Sequence, residues 1–177
     1  NKSIFKIKGN GNILLEDKLD SLSYQIIQDN NNLTFDTKIN LKNNSLLLDF
    51  LDYEKEENNS SLLSIKGKLN KDSKLRFNLI SLKEKDNEIT IKGLVLNKNF
   101  EIIDINNFYI NFENNKKILN KLNLKKNNSN FIIEGESFDA AKVINNIMDS
   151  DEKNSSIFKS LKRKIYIRIK KTYIDEV

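Results

Sequence analysis

Cysteine and histidine are both absent from these 177 residues. The first absence removes disulfides and thiolate metal sites. The second removes the commonest metal ligand and the usual general base near neutral pH. Proline and tryptophan are missing as well, and alanine occurs only as Ala140 and Ala141. Asparagine, lysine and isoleucine are heavily used instead, a usage that reads as the codon bias of an AT-rich bacterial genome. No run approaches the ~18 consecutive apolar residues of a membrane-spanning helix, and no signal peptide precedes the first strand. The chain opens on Asn1 and its last strand pattern runs into the terminus. A segment of a longer protein is therefore expected, with any export or anchoring signal outside it.

What is present is patterned. The apolar share is 38%, the charged share 31% and the net charge +5. That apolar content is low, but it recurs at regular spacing, which argues for a folded domain with a wet exterior rather than disorder. Basic residues are interspersed with acidic ones until the end, where Lys159, Lys162, Arg163, Lys164, Arg168, Lys170 and Lys171 cluster. The plain reading of that cluster is a solvated strand face; the sharper one is a patch turned toward anionic headgroups.

Period-two alternation runs from Phe5 to about Ile133. Phe5 and Ile7 alternate with Lys6 and Lys8, and Gly9 to Asn12 reads as a turn. Tyr24 and Ile26 mark a second strand. Leu33, Phe35, Thr37, Ile39 and Leu41 alternate with Thr34, Asp36, Lys38 and Asn40, which no helix can produce. Leu46, Leu48 and Phe50 continue the alternation into an acidic loop at Glu54, Glu56 and Glu57. Further strands hold Leu63, Ile65 and Leu69; Leu75, Phe77 and Leu79; Ile89, Ile91 and Val95; Phe100 and Ile102; Phe108, Ile110 and Phe112; Leu119 to Leu124; and Phe131 with Ile133. About ten to twelve strands joined by tight polar turns favour an antiparallel meander. Gly67, Gly93 and Gly135 sit late in strands, where glycine marks bulges.

A helix follows, over 137–149. Ser137 or Asp139 can cap it, Val143, Ile144, Ile147 and Met148 recur at helical spacing, and both alanines fall at its start. Asp149 to Ser156 reads as a solvated linker, Ile157, Phe158 and Leu161 as a short apolar turn, and Ile165, Ile167 and Ile169 as a final strand.

Catalytic chemistry finds little footing. Gly135, Glu136, Ser137 and Phe138 resemble a nucleophile elbow, but Asp139 stands where the second glycine belongs. Asp149 and Asp151 lack the glycine and terminal glutamate of a calcium loop. Gly9 and Gly11 have no third glycine or following helix, so no dinucleotide fingerprint forms. Aromatics such as Phe5, Tyr24, Phe77, Tyr109 and Phe131 mostly occupy the apolar phase, which favours packing over base stacking. No enzyme, cofactor, metal or nucleic acid is expected.

A sheet this large must hide its apolar side, and one short helix covers only two or three strands. A sandwich, a closed barrel, or a curled sheet filled by a ligand would each do so. The order of features resembles the AsmA-like superfamily of bacterial envelope proteins, particularly its repeating β-groove members related to YhdP and TamB. The likeness is carried by the Tyr24 and Phe35 strands, the segment Leu48 to Lys55, the Leu96 to Ile105 stretch around Phe100, and Gly135 to Asp139 leading into the helix.

That resemblance implies a mainly β fold, a long curved antiparallel groove with one short helix near its end. It implies a β-groove section over 1–136, the helix over 137–149, and a linker with the first strand of a following repeat over 150–177. It also implies a periplasmic protein anchored in the inner membrane, supporting phospholipid movement to the outer membrane of a Gram-negative bacterium. Its partners would be phospholipid acyl chains, the two membranes and adjacent groove repeats of the same chain. The physics agrees: about thirty methylenes at ~0.8 kcal/mol each put a two-chain lipid roughly 25 kcal/mol uphill in water. The expected groove-lining residues are Phe35, Ile39, Leu48, Phe50, Ile65, Phe77, Ile91, Ile110 and Phe112. Two other readings stand beside this one: a structural module binding partners through its sheet edges, and a lipocalin-like barrel for a small apolar ligand.

Overall fold

Alternation along the chain is realised as thirteen strands, seen in a computed structural model that describes residues 4–29, 32–148 and 163–174. They are β1 (Phe5–Leu15), β2 (Lys18–Gln28), β3 (Asn32–Leu41), β4 (Leu46–Leu48), β5 (Tyr53–Lys55), β6 (Ser61–Asn70), β7 (Leu75–Glu84), β8 (Asn87–Leu96), β9 (Ile102–Asp104), β10 (Asn107–Glu113), β11 (Leu119–Asn127), β12 (Asn130–Asp139) and β13 (Ile165–Tyr173). One helix, α1 (Ala141–Met148), follows β12.

Eleven strands form one curved sheet in the order β1-β2-β3-β6-β7-β8-β10-β11-β12-β13, with β9 added on β8. Pairing is antiparallel from β1 to β12, as tight polar turns demand. The last pair departs from the meander: β13 runs parallel to β12. Parallel neighbours need a crossover of a dozen or more residues, and the stretch containing α1 supplies it. The sheet does not close, since β1 and β13 each have one neighbour on the path. A lipocalin-like barrel is therefore not what forms.

Four local expectations are corrected. Gly9 to Asn12 is not a turn, because β1 continues through it to Leu15. Gly9 lies opposite Tyr24, and a Cβ there would sit 2.8 Å from the phenol oxygen; the glycine makes room for a ring. The reversal falls instead at Glu16, with φ 51°. Second, the apolar phase slips within β7 and β8. Phe77 faces Leu94, but the next same-face pairs are Ile80 with Ile91 and Leu82 with Ile89. Asn78 and Gly93 are the extra residues, Gly93 at φ 66°, so Leu79 and Val95 turn to the polar side. Third, Leu46 to Phe50 adds no strand to the sheet: β4 pairs only with β5, and Asp49–Leu51 is a 3-10 turn closed by Asp52 at φ 54°. Fourth, α1 starts at Ala141, and Ser137 does not cap it. Its hydroxyl donates to the Leu119 carbonyl, whereas Asp139 accepts the Ala141 amide at 3.1 Å.

Gly67 and Gly135 lie at the register shifts, as their bulge signal predicts. The expected linker at Asp149 to Ser156, the apolar turn at Ile157 to Leu161, and Asp151 all lie outside the described residues.

Candidate functional site

Strand register builds one feature that no single strand contains. The pairings put Gly9, Tyr24, Thr37, Ile65, Ile80, Ile91, Phe108, Leu124, Ile133 and Ile167 in one row across ten strands. The next row on the same face is Gly11, Leu22, Ile39, Leu63, Leu82, Ile89, Ile110, Leu122, Gly135 and Ile169. At a strand spacing of ~4.8 Å these rows run for roughly 43 Å along the curved sheet. They form the floor of an apolar trough perpendicular to the strands.

The trough has two unlike rims. At the ends of β3, β7, β10 and β12 the chain covers its own sheet. Leu41, Leu51, Tyr53, Leu82, Ile89, Ile110, Phe112 and Leu122 form one buried cluster there, with Leu46, Leu48 and Phe138 packed on it. Tyr53 meets Phe112 edge-on, ring centroids 5.1 Å apart. The β4–β5 hairpin is tied to α1 by Lys142, whose Nζ lies 2.8 Å from Asp49 Oδ1 and 3.2 Å from Asp52 Oδ1. At the other rim a smaller cluster joins Leu94, Ile105, Leu124 and Phe131, with Phe77, Ile80, Ile91, Leu96 and Ile102 against it.

The capped rim is closed by buried polar groups. Tyr53 donates to Glu84 at 2.8 Å. Burial first, and the Glu84 carboxylate second, push the Tyr53 phenol well above its ordinary range. Lys55, with no exposed surface, donates Nζ to the carbonyls of Lys42 and Asn44. Burial lowers its pKa, against the pull of Asp20, Glu84 and Glu57. Asp20 accepts the amides of Lys42, Asn43 and Asn44 and the Asn44 side chain. Burial raises the Asp20 pKa, but these donors outweigh it and hold the carboxyl below its ordinary value. These groups fix the turn that launches the hairpin.

Of the expected lining residues, Phe35, Ile39, Ile65, Phe77 and Ile91 share the trough face and are half-buried. Phe35 and Phe77 meet edge-on at 5.9 Å. Ile110 and Phe112 are on the same face but 0% and 1% exposed, sealed under the hairpin. Leu48 belongs to that hairpin, and Phe50 stands on its 3-10 turn, 43% exposed. Sequence reading missed Leu22, Leu63, Ile80 and Leu82 as floor residues; the phase slip at Asn78 hid the last two. Toward the sheet edges the floor becomes exposed, with Phe5 and Ile7 on β1 and Ile165 and Ile167 on β13.

The opposite face is polar and self-paired. Lys66 with Asp36, Lys121 with Glu136 and Arg168 with Glu134 lie 2.9, 3.1 and 3.4 Å apart. A depression of about 600 Å³ opens there beside Tyr109, Lys121, Asn123, Glu134, Glu136, Arg168 and Lys170, where Lys121 is paired with Glu136 and Arg168 with Glu134. Among the described residues no group of acidic side chains is arranged to hold a metal ion, and no helix is long and apolar enough to cross a membrane.

No protein-family model, no curated protein and no solved structure matches this chain.

Proposed function

We propose that this chain is a non-enzymatic section of a lipid conduit, its trough shielding acyl chains from water. The observation that carries the reading is the two rows that cross the ten strands of the path, apolar from Ile65 to Ile167 in the first and from Leu22 to Leu122 in the second, with most of the first row half-buried rather than sealed. A half-open apolar floor is costly in water at about 25 cal/mol per Å², and hydrocarbon removes that cost without any directional chemistry. Lipids held this way remain mobile along the trough, since the hydroxyls of Tyr24 and Thr37, near one end, are the polar side-chain groups of the two rows. The β-groove envelope proteins that the sequence resembles suit this reading, and with them a periplasmic site, an inner-membrane anchor outside the chain, and delivery of phospholipid toward the outer membrane.

A fluorescent phospholipid analogue, titrated into the protein, tests the reading. Saturable binding with a blue-shifted emission is expected, abolished by Ile65→Arg and by Ile91→Arg while circular dichroism stays unchanged. Wild-type binding in both arginine variants would refute it.

A scaffolding role has its own support in the open edges. β1 is eleven residues long, largely exposed, and carries Phe5 and Ile7 at its rim, a template for strand addition. Pull-down of a partner that survives Ile65→Arg but not a proline at Lys8 would favour that role.

A further inference from the structure

The rim opposite the hairpin carries an incompletely matched group of charges on the trough side. Lys126, near the end of β11, sits opposite Phe131 on the apolar face. Its Nζ lies 2.6 Å from Asp104 Oδ2. Arg163, just ahead of β13, brings Nη2 to 3.5 Å from the other oxygen of Asp104. Two cations therefore share one carboxylate. Arg163 also lies over the Phe131 ring, its guanidinium carbon 5.5 Å from the centroid. Its Nη1 is buried without a hydrogen-bond partner among the described residues. A buried guanidinium donor left open is costly, and such an orphan calls for an acceptor that the described residues do not supply.

The setting fits an anion with an apolar body. Phe131 belongs to the cluster of Leu94, Ile105 and Leu124 that ends the trough floor. The neighbouring turns on this rim carry Lys71, Lys74 and Lys98 alongside Asp72 and Glu101, with Asp72 3.6 Å from Lys74. On this same rim the β8–β9 turn raises Phe100, 74% exposed at φ 61°, a conformation bulky residues rarely adopt. Cations beside exposed aromatic surface match the boundary between a phosphate and its hydrocarbon tails.

We propose that Lys126 and Arg163 bind a phosphate ester, the head of a lipid whose tails lie on the trough floor; this rests on the conduit reading above. Phosphate oxygens would displace part of the Asp104 contact, and the guanidinium, released from Asp104, would turn its open Nη1 donor toward them. Asp104 is then a competitor that keeps the site from binding anions too tightly to release them.

Calorimetric titration with dioctanoyl phosphatidylglycerol, dioctanoylglycerol and inorganic phosphate separates the parts. Wild-type protein is expected to prefer the phospholipid to the diacylglycerol. Lys126→Gln with Arg163→Gln should weaken phospholipid binding by about tenfold or more, as loss of charge-assisted hydrogen bonds implies, and leave diacylglycerol binding unchanged. Asp104→Asn should tighten phospholipid binding, a gain that misfolding cannot mimic; asparagine can still accept the Ile105 amide that Asp104 Oδ1 now takes at 3.0 Å. Equal affinity for the two lipids in the wild type, or undiminished phospholipid binding in the double variant, overturns the headgroup site and leaves the trough standing. Binding of inorganic phosphate with neither lipid bound overturns the conduit reading and reassigns the site to free phosphate.

Discussion

The phenol of Tyr53 donates to Glu84 Oε2 at 2.8 Å inside the protein, joining the β4–β5 hairpin to the end of β7 across the apolar cluster between them. Tyr53→Phe keeps the ring on Phe112 but leaves a buried carboxylate short of a partner. Urea unfolding should show a loss of about 1–3 kcal/mol, and Tyr53→Phe combined with Glu84→Met should recover part of it. An unchanged midpoint in Tyr53→Phe would mean that the hairpin is held by packing alone.

Acid should act through Asp20. Its folded-state pKa is lowered below the ordinary 3.8, so the stability it contributes is fully present above that value and is lost as pH falls through the folded pKa. Chemical denaturation of wild type and Asp20→Asn across pH 2 to 6 checks this, the window being set about the ordinary carboxylate range. The gap between the two should be widest in the upper part of the window and narrow below about pH 4.

Much of this architecture was legible. Alternation places Phe35, Ile39, Ile65, Phe77 and Ile91 on one face, because side-chain direction in a strand has a period of two and register preserves it. Legibility ends where an inserted residue resets the phase, as at Asn78 and Gly93, and where a strand-like run such as Leu46 to Phe50 closes on itself. The sealing of Ile110 and Phe112 was also hidden: their alternation is the same as Ile65's, and only the long-range return of Leu51 and Tyr53 covers them. Lys126 and Arg163 are far apart in sequence, and only the sheet brings them to one carboxylate.

The two kinds of trough phenylalanine should separate on substitution. Phe112→Ala empties a sealed position and is expected to cost about 3–5 kcal/mol. Phe35→Ser, at a half-buried floor position, should cost less and lower lipid affinity more. Paired thermal melts and lipid titrations on both variants read the split; equal stability losses would contradict the distinction between plug and floor.

Lys142 ties α1 to the hairpin at partly exposed positions. The hydrogen bonds it donates to Asp49 and then Asp52 raise its pKa against burial. That contribution is complete below the ordinary lysine value of 10.5 and is lost as pH rises through the raised folded value. Lys142→Gln should cost under about 1 kcal/mol globally, yet speed amide exchange in Tyr53–Lys55. Unchanged exchange there would show that the tie does not hold the hairpin down.

The central claim is that hydrocarbon, and not protein, occupies the half-open length of the trough. Mass spectrometry of the solvent extract from protein purified out of bacterial cells without detergent tests it most directly. The account predicts stoichiometric phospholipid in the wild type and its loss in Ile65→Arg, with Thr34→Arg on the polar face as loaded as the wild type. Lipid-free wild-type protein, or equal lipid in Ile65→Arg, would contradict it.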